Sequence, residues 1–137
     1  MAKIDHIGIA VNSLESALYF YRDLLGLEYQ GEETLVEEAL RAAFLGRGEA
    51  RIELLSPLSD ESKLSKFLKN RGQGLHHICY QVKDLQGVLK KMEEKGVELI
   101  DKKPRRGAHG RSVAFIHPKS ASGVLIELVE IQAVSPE

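Results

Sequence analysis

The chain has 137 residues, 43% hydrophobic and 28% charged, a balance that indicates a folded globular domain rather than a disordered segment. Lys and Arg number 19 against 20 Asp and Glu, a formal net charge of −1, so the basic excess expected of a nucleic-acid binder is missing. No apolar run approaches the roughly 20 residues that cross a bilayer, no secretory leader is visible, and a lone Cys79 excludes an intramolecular disulfide or a Cys-based zinc site. The expectation is a cytoplasmic domain without a membrane or nucleic-acid partner.

The first element is a strand entered within a few residues. In HIGIAV, residues 6–11, alternation puts Ile7, Ile9 and Val11 on one face and His6, Gly8 and Ala10 on the other, with Ile4. Ser13 then reads as a helix N-cap, followed by Leu14, Ala17, Leu18 and Tyr21 at helical spacing, with Gly26 after the last turn. A later strand contains Phe44, and RIELLSP, 51–57, is an apolar strand carrying one carboxylate, Glu53. Residues 59–71 read as a capped helix with Leu64, Phe67 and Leu68 on its apolar side.

From there the pattern starts again. HICYQV, 77–82, repeats HIGIAV with His77 lying 71 residues after His6. Asp84 takes the place of Ser13 as cap, Leu85, Val88, Leu89 and Met92 form the apolar stripe, and Gly96 closes it. Phe115 follows Phe44 by 71 residues, and Glu127 in VLIELVE follows Glu53 by 74, so about three residues are added in the second half. The expected fold is α+β within one 1–137 domain. Two βαβββ modules, about 1–58 and 73–132, are joined by a helical connector at about 59–71. Their strands form a curved, mostly antiparallel sheet around a metal site, with helices on the convex side.

Strand parity separates the adjacent histidines of GLHHICYQV. His77 shares a face with Cys79 and Gln81, while His76 falls with Ile78, Tyr80 and Val82 on the side a helix covers. His77 is therefore the counterpart of His6. A single strand histidine is more often a hydrogen-bonded core residue than a ligand. A glutamate inside an apolar strand is harder to explain, because a buried carboxylate is costly unless paired or coordinated. His6, Glu53, His77 and Glu127, one imidazole and one carboxylate per half, suit a borderline divalent ion such as Co²⁺, Mn²⁺, Ni²⁺, Fe²⁺ or Zn²⁺, of which Co²⁺ is the one expected here.

The paired modules with His and Glu in register resemble the vicinal oxygen chelate superfamily, and within it the methylmalonyl-CoA epimerases. The resemblance is carried by DHIGIAV, DLLGL, EET…VE, AAFLGRGEARIELLSPL, SKFLKNRGQGLHHICYQV and PRRGAHGRSVAFIHPKSASGVLIELVE, which together span about 4–131. It implies that His6, Glu53, His77 and Glu127 hold the metal, with Glu53 where the family often has Gln. The family's E-Q-G-V segment falls on Glu37-Glu38-Ala39-Leu40, making Glu37 similar to the proposed base, with Glu38 beside it as the alternative. Read without the resemblance, these glutamates are a solvated acidic patch that continues Glu32-Glu33.

The implied activity is epimerisation at C2 of methylmalonyl-CoA, interconverting its R and S forms. Inversion needs proton removal on one face and delivery on the other, and the two carboxylates expected to do this are Glu37 and Glu127, the latter loosened from the metal during turnover. The partners implied are an acyl-CoA substrate and a second copy of the chain in a homodimer. Arg105, Arg106 and Arg111, in a basic turn, are candidate phosphate contacts; Lys119 and Ser120 are candidate contacts to the substrate. His76, His109 and His117 are not expected as ligands. The alternatives are a glyoxalase I-like lactoylglutathione lyase, which shares the four-ligand logic, and a metal-free ligand-binding module of the same fold. A ring-cleaving dioxygenase is disfavoured by the second glutamate and the short chain.

Overall fold

The computed structural model describes residues 2–48 and 51–132; Met1, Glu49, Ala50 and 133–137, which belong to the expected domain, lie outside the described residues. The chain divides into two compact units. One is His6–His76; the other runs from His77 onward together with the residues up to Asp5.

The His6–His76 unit contains most of β1 (Lys3–Ala10), helix α1 (Leu14–Leu18), β2 (Tyr29–Leu35), β3 (Leu40–Leu45), β4 (Ile52–Pro57) and helix α2 (Lys63–Arg71). Its strands run in the order β2-β3-β4-β1, antiparallel except that β1 and β4 are parallel. Ser13 caps α1 by accepting from the Ser16 amide at 3.2 Å. The expected long helix is α-helical only through Leu18; Tyr19–Leu24 widens into a π-helix, in which the Leu25 amide donates to the Phe20 carbonyl. Gly26 ends it at φ 85°, a left-handed turn that glycine adopts without strain.

Two apolar layers fix the faces of this sheet. Val11, Leu14, Leu18, Ala43, Leu45 and Leu54 pack with Ile9 on the α1 side. Ala10, Leu40, Ala42, Leu55 and Leu64 pack with Phe44, Phe67 and Leu68 on the other. The strand alternation is as expected. The connector helix α2, which starts at Lys63 behind its Ser62 cap, covers one end of the face opposite α1.

The second unit comprises β5 (Gly74–Val82, from His77), α3 (Leu85–Glu94), β6 (Arg105–Arg106), β7 (Ser112–Ile116) and β8 (Ile126–Glu130). The order is β5-β8-β7-β6, with β5 and β8 parallel and the others antiparallel. Asp84 caps α3 by accepting from the Gly87 amide, and Glu130 from the end of β8 accepts from the Leu85 amide at 3.0 Å. Leu85, Leu89, Ala114, Ile116 and Leu128 form the core under α3, with Tyr80 and Val82 against it; Cys79, Val113 and Val129 form a separate layer. β6 is a two-residue stub preceded by Pro104, which has no amide to donate to a ladder. The three added residues fall between Phe115 and Glu127, where Pro118–Ser120 forms a 3₁₀ turn. No helix is long and apolar enough to cross a membrane among the described residues.

Candidate metal centre

Each unit supplies one imidazole–carboxylate pair, at equivalent places. In the first, Gly8 of β1 is the register partner of Glu53, and Glu53 is that of Phe44 on β3. His6 precedes Gly8 by two residues and so shares its face; its Nε2 lies 3.4 Å from Glu53 Oε1. In the second, Cys79 is the partner of Glu127, and Glu127 that of Phe115. His77 precedes Cys79 by two, and its Nε2 lies 3.2 Å from Glu127 Oε1. The Phe115 ring stands edge-on to His77 with centroids 6.0 Å apart.

Burial makes these pairs demanding. Glu53 is 5% exposed, His77 4% and Glu127 9%. Apolar strands of this kind do not leave carboxylates inside without partners. Ligands about 2.1 Å from one ion stand roughly 3.0 Å apart at a right angle and roughly 3.4 Å apart at the tetrahedral angle. Both pairs have the spacing of neighbouring ligands on an ion, so the donor set and its distances fit a divalent cation.

Glu37 sits in the β2–β3 turn, exposed, with Glu38 half-buried beside it. Among the described residues Glu37 makes no hydrogen bond or ion pair. Leu40, at the base of the turn, pairs with Pro57, four residues from Glu53 and about 13 Å along the strand. Ala39, where the family segment has glycine, has φ 55°. The turn thus demands the left-handed conformation that explains a glycine at this point, and here an alanine bears the strain.

The three arginines of the basic turn have different surroundings. Arg111 donates to both oxygens of Asp5, at 3.1 and 3.0 Å. Arg105 lies 5.0 Å over the Phe115 ring and pairs with Asp101 at 3.2 Å. Arg106 is exposed. Ser120, a candidate substrate contact, accepts from the Glu98 amide at 2.8 Å, and His117 pairs with Glu98. His76 packs edge-on against Phe67, centroids 4.8 Å apart. The Asp5–Arg111 pair went unread in the sequence. Its signal was a charged residue, Arg111, 71 positions after the buried Leu40.

Comparison with known proteins agrees with this architecture. Residues 5–115 match the family model described as the glyoxalase/bleomycin resistance protein/dioxygenase superfamily. The chain is 38% identical to the mitochondrial methylmalonyl-CoA epimerase of Dictyostelium discoideum, over 95% of this chain and 79% of that protein. It is 36% identical to an ethylmalonyl-CoA/methylmalonyl-CoA epimerase of Cereibacter sphaeroides, over 96% and 99% of the two. A solved methylmalonyl-CoA epimerase in complex with methylmalonyl-CoA and NH4+ superposes with a TM-score of 0.91 at 36% identity, covering 100% of this chain and 99% of that one. With a family model matching residues 5–115 and epimerase relatives 36–38% identical over most of their length, the chain belongs to the methylmalonyl-CoA epimerase family of the glyoxalase/bleomycin resistance protein/dioxygenase superfamily.

Proposed function

We propose that this chain epimerises methylmalonyl-CoA at C2 and does so with one divalent ion held jointly by His6, Glu53, His77 and Glu127. The observation that carries the reading is the duplicated, buried imidazole–carboxylate pair, at 3.4 and 3.2 Å, in a chain of this family. The C2 proton lies between a thioester carbonyl and a carboxylate, and its removal puts negative charge on the thioester oxygen. A divalent ion at this site supplies Lewis-acid stabilisation of that charge, worth several kcal/mol.

The chain's own residues handle the proton. Glu37, on the hairpin tip, takes it from one face; its exposure allows exchange with solvent between turnovers. Glu127 delivers a proton on the opposite face. Phe44 beside Glu53 and Phe115 beside Glu127 supply apolar surface that excludes water from the reacting centre. A homodimer with an acyl-CoA substrate completes the reading.

The test is incubation of single-isomer methylmalonyl-CoA in D₂O with the chelator-treated protein, before and after addition of Co²⁺. Deuterium entering C2 only with the ion supports the reading. Exchange undiminished in metal-free protein removes the metal from it. Formation of lactoylglutathione from the methylglyoxal–glutathione hemithioacetal, without C2 exchange, would replace the epimerase by a lyase.

A further inference from the structure

We infer that Asp5, Gln81 and Arg111 form a positioning layer for the candidate metal ligands, an inference that rests on the metal reading above. Asp5 is 1% exposed, and a carboxylate so buried needs its charge answered. Arg111 Nη1 donates to Oδ2 at 3.1 Å and Nη2 to Oδ1 at 3.0 Å, while Gln81 Nε2 donates to Oδ1 at 2.8 Å.

The duplication supplies an internal control. Gln81 follows Ala10 by 71 residues, and Arg111 follows Leu40 by the same interval. Ala10 and Leu40 lie in an apolar layer with Ala42, Leu55 and Leu64. At these two positions one unit therefore has hydrocarbon and the other Gln81 and Arg111, both donating to the buried Asp5 while the Arg111 side chain stays 31% exposed. Buried ion pairs are often matched or exceeded in stability by well-packed apolar residues. Stability alone therefore gives no reason for the polar version. Directional hydrogen bonds do what apolar packing does not: they fix orientation and register.

What they fix is the strand ends that bear on the site. Asp5 immediately precedes His6. Gln81 lies on the His77 face of β5, four residues further on. Arg111 immediately precedes β7, four residues before the Phe115 ring that stands against His77. Cys79 lies level with Glu127, and Val129 and Val113 lie level with Gln81; these three pack as one cluster, exposed by 0%, 1% and 3%. A layer so tightly packed passes displacement on rather than absorbing it.

Removing Arg111 by itself takes the countering charge from the buried Asp5 carboxylate, so the test uses the neutral exchange Asp5→Asn with Arg111→Gln, and separately Gln81→Met. Metal-free protein is titrated with Co²⁺ against a competing chelator, and the ring nitrogens of His6 and His77 are followed by NMR. Folded variants are expected to keep the cobalt stoichiometry but bind about tenfold or more weakly, the usual effect of losing a group that orients ligands. Their histidine ring signals are expected to broaden or double even without metal. Parent-like affinity and parent-like ring signals in either folded variant would overturn the inference. If the parent itself takes up no cobalt, the metal reading fails, and the ring signals alone decide whether the layer positions these histidines.

Discussion

Glu53 stands where the resembled family often has glutamine, whereas Glu37 matches that family's proposed base. In the proposed site Glu53 would add a second carboxylate, enough for two glutamates to balance a dication. At an intermediate dielectric a unit charge about 4 Å away contributes on the order of 4 kcal/mol, so Glu53→Gln is expected to weaken Co²⁺ binding by about tenfold or more. Competition titration checks this; unchanged affinity would mean that Glu53 does not ligate. Glu37→Gln is expected to leave metal content intact while C2 exchange falls by about 10² or more. Loss of exchange in Glu38→Gln instead, with Glu37→Gln near normal, would move the base by one residue.

The β2–β3 and β6–β7 turns are the elements where backbone geometry decides tolerance. Ala39 at φ 55° carries a left-handed conformation that costs a non-glycine residue roughly 1–2 kcal/mol. Glycine adds unfolded-state entropy in return, so Ala39→Gly is expected to stabilise by up to about 1 kcal/mol in urea unfolding. At Gly107 the limit is space: a Cβ there would meet Val113 Cγ2 at 2.9 Å, so Gly107→Ala is expected to cost about 1–3 kcal/mol. The head of α1 gives a pH dependence. A backbone hydrogen bond, then Arg41, holds the Glu15 carboxyl below its ordinary value. A depressed acid stabilises the fold above its unfolded value and loses that contribution as pH falls through the folded one. Glu15→Gln should therefore flatten the loss of stability on the acid side of about pH 4.5, measured as Tm against pH.

For the whole molecule, stoichiometry distinguishes a shared ion from two separate ones. Each unit carries one imidazole–carboxylate pair, and the proposal requires one Co²⁺ per chain, not two. Ligand binding to the native state alone adds about 2.7 kcal/mol at a hundredfold excess over Kd, so Co²⁺ should raise Tm by several degrees and a chelator should reverse it. Two ions per chain, or no change in Tm, would contradict a site assembled from both units. The proposal of a homodimer is checked by light scattering, which should give twice the chain mass.

Much of this was legible in the chain. HIGIAV and HICYQV, with their caps, stripes and a glutamate each, gave the duplicated α+β layout and separated His77 from His76, because strand alternation and helical period are local properties. The three added residues were countable, and the structure placed them in the turn after Phe115. The widening of α1 after Leu18 was not legible, since which carbonyl an amide reaches depends on how the helix is packed. Nor was the recruitment of Arg111 by Asp5, residues 106 positions apart. A charge run looks solvated until tertiary structure brings a buried partner to it, and only the folded sheet decides which arginine is answered from within.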